Sequence, residues 1–402
     1  MFLYITFLRP PPRSSPPGIP IVITPQIAND LRTELFQGSQ DIYFSWELEK
    51  TQFNPNPSVP LAITKSQKLT TWREGTAYRE INVPLPAGLR NGSSYRLVLT
   101  THDQGHPHII NLGGPSIGSR PFPVISMPIR FSSQANISQN SSKQEQVERI
   151  YRIPLPHDER KQVFMKVKEQ TSFDLDKKVW DSGVGLSSWV SSLISDDPSS
   201  SSSSGLVQTM MGLLFSKTPC DIIELGAGTG ILSMTIGAIR SSICSRSEGG
   251  SIIITDLASA MPLLKENIEL NSGLFSSGTT CPHGVVLDWE TENLPIEVSN
   301  TPGGFHLIVM ADVTYNTASF SALVRTWKKL FALHDPQQRS QKPLILLGYK
   351  ERHPSERGLW DMALNEGIVF EKVGERSGAG DAPVEVWIGS PNGNMNGVPR
   401  ST

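Results

Sequence analysis

The sequence predicts a doubly wound α/β fold, a mostly parallel seven-stranded sheet with a terminal antiparallel hairpin, preceded by a small β-rich module. Five short, nearly all-apolar runs lie in order: DIIEL (221–225), SIIIT (251–255), VVL (285–287), HLIVMA (306–311) and PLILLG (343–348), with room for helices between them. Strands that are apolar on both faces are what a parallel sheet between two helical layers requires. After a helix near 355–366, GIVFEKVG (367–374) and VEVWIG (384–389) flank the glycine-rich SGAGDAP and read as a closing hairpin. The β-rich module rests on DIYFSWELE (41–49), where Ile42, Phe44, Trp46 and Leu48 alternate with Tyr43, Ser45, Glu47 and Glu49. That is the period of a half-buried strand.

Taken in order, residues 1–24 read as a Pro-rich tail, because RPPPRSSPPGIP (9–20) follows a brief apolar start. Residues 25–131 form the β-rich module. Within it, YRLVLTT (95–101) follows an Asn91-Gly92 turn signal, and PVISMPIRF (123–131) is a further short run. Prolines in and beside these runs favour short edge strands and a sandwich-like arrangement. No catalytic constellation is visible there. Residues 132–147 are polar with almost nothing to bury and read as a linker, and 148–395 form the α/β domain. A serine tract, SDDPSSSSSSG (195–205), interrupts that domain as a flexible loop.

Composition excludes several classes of function. The 36 Lys and Arg against 38 Asp and Glu leave a formal net charge of −2, so bulk charge does not hold this chain to nucleic acid. The apolar start ends at Arg9, and no segment approaches the ~18 uninterrupted apolar residues of a membrane span. The 3 cysteines, Cys220, Cys244 and Cys281, lie far apart without a CxxC, which fits a reducing compartment and argues against a cysteine-based zinc site. His353 lacks ligand partners at suitable spacing, so no metal is expected. A soluble intracellular protein, cytoplasmic or also nuclear, follows as the expectation. Oligomeric state is not readable.

The sharpest motif is Glu224-Leu-Gly226-Ala-Gly228-Thr-Gly230, directly after a strand and opening the helical run ILSMTIGAI. Glycines there allow a tight turn and a close ligand approach, and the helix amino end favours an anionic group. A dinucleotide fingerprint needs G-x-G-x-x-G, but position 231 is isoleucine, and no GK[ST] completes a phosphate loop. Asp256 ends the second apolar run, where a carboxylate can accept from both hydroxyls of a ribose or can cap the following helix. Asp288 ends the third run with Trp289 beside it, either as an adenine contact or as a loop acid next to a half-buried ring.

These residues together resemble the class I S-adenosylmethionine-dependent methyltransferases. The succession Lys178-Val-Trp180-Asp181, ELGAGTG, ITDL, LDW, Ala311-Asp312-Val313-Thr314-Tyr315 and Glu351-Arg352-His353-Pro354 narrows the resemblance. It is similar to the protein-lysine methyltransferase group that modifies chaperones and translation elongation factors, over roughly residues 150–390. The N-terminal 130 residues, the serine tract and GLFSSGTTCP after Asn271 depart from that pattern. The resemblance implies S-adenosyl-L-methionine as cofactor. Glu224 would hold its methionine amino group, with Gly226 and Gly228 admitting the methionine part. Asp256 would bind the ribose, Asp288 and Trp289 the adenine, and Trp180 and Ala311 would complete the cofactor set. Asp312 and Tyr315 match a D-x-x-Y beside the acceptor and are the expected catalytic pair.

Methyl transfer to an amine needs positioning and desolvation above all. Asp312 would orient the ammonium as it enters, and Tyr315 would wall the channel or meet the cation with its ring face. Arg352, His353 and Glu356 would shape the turn into the last helix. The expected partner is a protein substrate, with no nucleic acid and no membrane. Two alternatives stand beside it: transfer to a small molecule, and a non-catalytic S-adenosylmethionine-binding partner protein. ADVTY in place of [DN]-P-P-[YF] after the fourth strand also argues against a nucleic-acid acceptor.

Overall fold

A computed structural model of the chain describes residues 1–49, 64–134, 143–156, 162–172, 174–194, 204–244, 249–275, 280–339, 341–380 and 382–391. They divide into two units, one built on Met1–Ile153 with Arg160–Val179 and Ser377–Asp381, the other on Trp180–Arg376 with the C-terminal strand. Residues 195–203 of the serine tract and 135–142 of the linker lie outside the described residues.

In the first unit, Tyr4–Arg9, Ile21–Ala28 and Ile81–Val83 form a small antiparallel sheet. A larger sheet gathers Ser39–Leu48, Gln67–Arg73, Ser94–Thr100, Val124–Ser126, Ile129–Phe131, Gln146–Pro154 and Gln162–Gln170. One core joins them, with Ile5, Phe7 and Ile23 from the small sheet against Phe44, Trp46, Leu97 and Leu99 from the large one. The predicted alternation holds at Ile42, Phe44 and Trp46, which are buried, and fails at Leu48, which is 49% exposed. Ser45 and Glu47 are buried as well, so the other face of this strand is not a solvent face.

Two expectations are corrected here. Residues 1–24 are not a tail: Phe2, Leu3, Ile5 and Phe7 are buried, and Tyr4 pairs with Ala28 across the small sheet. Four apolar side chains in the first seven residues outweigh the prolines that follow. The α/β domain does not begin at 148 either. Val147 pairs with Ser126 and Ile150 with Ile109, placing Gln146–Pro154 in the first unit's large sheet. Arg149 seals that placement. Its guanidinium donates to Glu169 at 2.8 Å and to the Ile5 carbonyl at 3.1 Å, wholly buried.

In the second unit the strands are β1 (Ile222–Leu225), β2 (Ile252–Asp256), β3 (His283–Val286), β4 (Leu307–Ala311), β5 (Leu344–Tyr349), β6 (Ile368–Arg376) and β7 (Val384–Pro391). Their order across the sheet is β3-β2-β1-β4-β5-β7-β6. The first five are parallel, while β7 runs antiparallel to both β5 and β6. The fold class is therefore the doubly wound sheet with a terminal hairpin. The helices are α1 (Asp181–Ser192), α2 (Gly205–Leu214), α3 (Ile231–Ile243), α4 (Met261–Leu270), α5 (Ile296–Ser299), α6 (Phe320–Ala332) and α7 (Gly358–Asn365). Ile223, Leu225, Ile308, Met310, Ile345 and Leu347 meet Trp327 and Leu330 of α6 and Leu359 of α7 in one core. The strand order reverses between β1 and β4, and ligands of open α/β sheets bind outside the carboxyl ends at such a reversal. Helix α1 comes close to the sheet because position 185 is glycine. A Cβ there would lie 2.8 Å from Val384.

Among the described residues, no helix is long and apolar enough to cross a membrane.

Candidate active site

The carboxyl ends of β1, β2 and β4 bring most of the predicted residues together. Glu224, next to last in β1, is buried, and its carboxylate accepts from the Ser233 amide in the first turn of α3 at 3.1 Å. Burial pushes its pKa up to about 8, against the Ser233 hydrogen bonds that favour the charged form, with Asp256 nearby raising it further. Among the described residues no cation pairs with it.

The glycine loop is stitched to β2. The amides of Gly226 and Ala227 both donate to the Thr255 carbonyl, at 2.9 and 3.1 Å, and the Gly228 amide donates to Asp256 Oδ2 at 2.7 Å. Gly226 and Gly228 have φ of 69° and 53°, the left-handed region that glycine enters without strain. A Cβ at Gly226 would fall 2.8 Å from Val313 and 3.4 Å from the Trp289 ring, so glycine lets the loop pack against both side chains.

Asp256 Oδ1 also accepts from the Leu257 amide at 2.7 Å. It does not cap the following helix, whose N-cap is Ala260 without a side-chain bond. Trp289 reaches the glycine loop, whereas Asp288 sits in an exposed turn and accepts from the Glu290 amide at 3.0 Å. Ala311 ends β4 and pairs with Gly348. Tyr315 is 55% exposed.

Asp312 departs from expectation. It is buried, with a φ of 57° that only a few per cent of non-glycine residues adopt. Its Oδ2 accepts from the Ser182 amide in the first turn of α1 at 2.7 Å, and its Oδ1 accepts from Arg352 at 2.8 Å. The carboxylate expected to orient an incoming ammonium is thus already engaged on both oxygens. Arg352 also lies over the Trp180 ring, 4.9 Å from its centroid, and Trp180 is the N-cap residue of α1. Beside this pair, Lys350 donates to Asp181 at 2.8 Å, with side chains only 5% and 0% exposed.

Sequence reasoning passed over Ser182 and Lys350, quoted Asp181 only as part of a motif without a role, and gave Arg352 only a turn-shaping part. His353 and Glu356 do shape the turn: His353 Nδ1 accepts from the Ser355 amide at 3.2 Å, and Glu356 accepts from the Arg352 amide at 3.3 Å. The available signal was the alternation Lys350, Arg352 straight after an apolar strand. Two cations at a strand end in a sheet crevice need anions, and Asp181 and Asp312 are what lies there.

The lysine methyltransferase family matches the chain over residues 159–365, just over half of it. The chain belongs to that family. A UPF0665 family protein of Schizosaccharomyces pombe is 26% identical over 221 residues, covering 55% of this chain and 54% of that protein. The Saccharomyces cerevisiae protein-lysine N-methyltransferase EFM6 is 28% identical over 144 residues, 34% of this chain and 52% of that one. Mouse EEF1A lysine methyltransferase 3 is 30% identical over 113 residues, 28% and 41%. The chain spans about half the length of the curated relatives it matches. The methyl donor of this family is S-adenosylmethionine, and the residues here fit it on two counts. Gly226 and Gly228 hold a left-handed turn at the strand ends that glycine adopts without strain, and Glu224 is a buried carboxyl group with no cation paired to it among the described residues, where the amine of such a ligand would fit.

Proposed function

We propose that this protein transfers a methyl group from S-adenosylmethionine to the side-chain amine of a lysine in a protein substrate, an elongation factor or chaperone being the class of acceptor. One observation carries the reading: the family match runs through every strand-end residue of the site, from Trp180 to Arg352. The names of the yeast and mouse relatives support a protein acceptor.

Glu224 would hold the donor's amino group, Asp256 its ribose, and Trp289 with Asp288 its adenine, while Trp180 and Ala311 would border it. S-adenosylmethionine, when bound, supplies an electrophilic methyl on a sulfonium. The remaining work falls to the chain, which must present a neutral amine in line and keep water out. A free lysine has a pKa of about 10.4, so the acceptor must shed a proton to solvent before its lone pair can attack. The convergence of Asp312, Ala311 and α1 at the carboxyl end of β4 supports that end as the acceptor's entry.

The test is transfer of labelled methyl into a methyltransferase-depleted cell extract, resolved by size, with wild type and Asp312→Ala in parallel. One or two labelled protein bands are expected, weaker in Asp312→Ala while calorimetric binding of S-adenosylhomocysteine is largely kept. Label confined to small molecules would replace the protein acceptor with a metabolite. Binding without any label would leave a non-catalytic cofactor-binding protein.

A further inference from the structure

The Asp312–Arg352 pair bears on the acceptor's proton. An isolated carboxylate beside an incoming amine favours its charged form and raises its pKa, which opposes attack. Asp312 is not isolated: Arg352 meets its Oδ1 at 2.8 Å, with the two side chains 6% and 12% exposed. Lys350 offsets Asp181, and Glu356, which accepts from the Arg352 amide, has its pKa raised by burial. The Tyr349 phenol is likewise pushed up by burial, and Tyr315 follows Asp312 by three positions. An amine entering beside Asp312 therefore meets a carboxylate whose charge is offset by Arg352.

The structure assigns Arg352 as a positioning residue that neutralises Asp312, so that the acceptor amine can lose its proton near neutral pH. This rests on the reading that transfer occurs at the carboxyl end of β4. Arg352 itself neither gives nor takes a proton. It keeps Asp312 paired with the α1 amino end and cancels its charge.

The experiment is the pH–rate profile of methyl incorporation from labelled S-adenosylmethionine into the acceptor band of the depleted extract, at limiting acceptor. Four proteins are compared with wild type: Arg352→Met, Arg352→Lys, Asp312→Asn and the double variant Arg352→Met/Asp312→Asn. In Arg352→Met the acid limb should move up by about one pH unit or more, about tenfold less activity at neutral pH that returns in alkaline buffer. Arg352→Lys should keep the wild-type limb, and the double variant should bring it back. Should Arg352→Met not fold, Asp312→Asn carries the test alone, because an uncompensated arginine should move the limb down. An equal loss in Arg352→Met at every pH would make Arg352 merely structural and overturn the inference. An unmoved limb in Asp312→Asn would overturn it too. A wild type that labels no band overturns the proposed function instead, and this inference with it.

Discussion

Both units bury arginine–carboxylate pairs, and the surroundings of the pairs differ. In the first unit, Arg149 and Glu169 meet between the edge strand Gln162–Gln170 and its neighbour Gln146–Pro154, and the spare guanidinium donors go to backbone carbonyls. Glu169 in turn accepts from the Val179 amide at 3.2 Å. The bonds there tie strand to strand and strand to the backbone of adjoining loops. In the second unit, Arg352 and Asp312 meet at strand ends, on a left-handed residue, against an aromatic face and the first turn of a helix. A pair enclosed by strands holds a fold together, whereas a pair at the carboxyl ends of a parallel sheet stands where ligands bind. Glu224 lies at that same edge without a cation, a cost that a structural residue has no reason to bear.

The comparison breaks most readily at Arg149. Arg149→Met leaves Glu169 buried without its counter-charge and should cost about 3–5 kcal/mol, read as a lower urea midpoint. A loss no larger than a surface substitution's would erase the contrast between the two pairs. Asp256→Ala should weaken S-adenosylhomocysteine binding by about tenfold or more, since charged hydrogen bonds are worth about 1.5–3 kcal/mol. Unchanged affinity by calorimetry would move the ribose elsewhere.

Glu224 sharpens the comparison through pH. Its folded pKa, about 8, lies above the ordinary 4.5, so the folded state holds a proton that the unfolded state has released. Its contribution to stability is therefore greatest below pH 4.5 and falls as pH rises towards 8. Without cofactor, the Tm of the wild type should decline across that window more steeply than that of Glu224→Gln. A cofactor amine stabilises the ionised carboxylate, so added S-adenosylhomocysteine should flatten the wild-type decline. Parallel curves with and without ligand would separate Glu224 from the binding site. The smallest effect is expected at Ser204, whose hydroxyl caps α2 by accepting from the Val207 amide at 3.4 Å. Ser204→Ala should cost about 1 kcal/mol and leave binding and turnover alone.

Much of the second unit was legible because its signals are local. A parallel strand buried on both faces writes itself as a run such as IIIT or LIVM, whatever its neighbours are. The glycine loop and Asp256 could be placed for the same reason, since a strand end, a tight turn and a helix start are contiguous in the chain. The first unit was harder. Its N-terminal strand is hidden by adjacent prolines, and nothing in IYRIP says which sheet it joins. Glu47 looked like a solvent-facing position by alternation and is buried beside Arg96, its cross-strand partner.

The sequence alone therefore determined the order and kind of elements in the α/β unit, its glycine loop and the acidic residues at its strand ends. Tertiary structure decided that the strands Gln146–Pro154 and Gln162–Gln170 join the sheet of the β-rich unit and that Asp312 is paired rather than open. It also decided that Arg352 lies on Trp180 and that Lys350 meets Asp181. The physical reason is one of range. Periodicity, turns and caps act over a few residues. An ion pair links positions 40 or 169 apart in the chain, and its partners are chosen only when the sheet has brought the strand ends together.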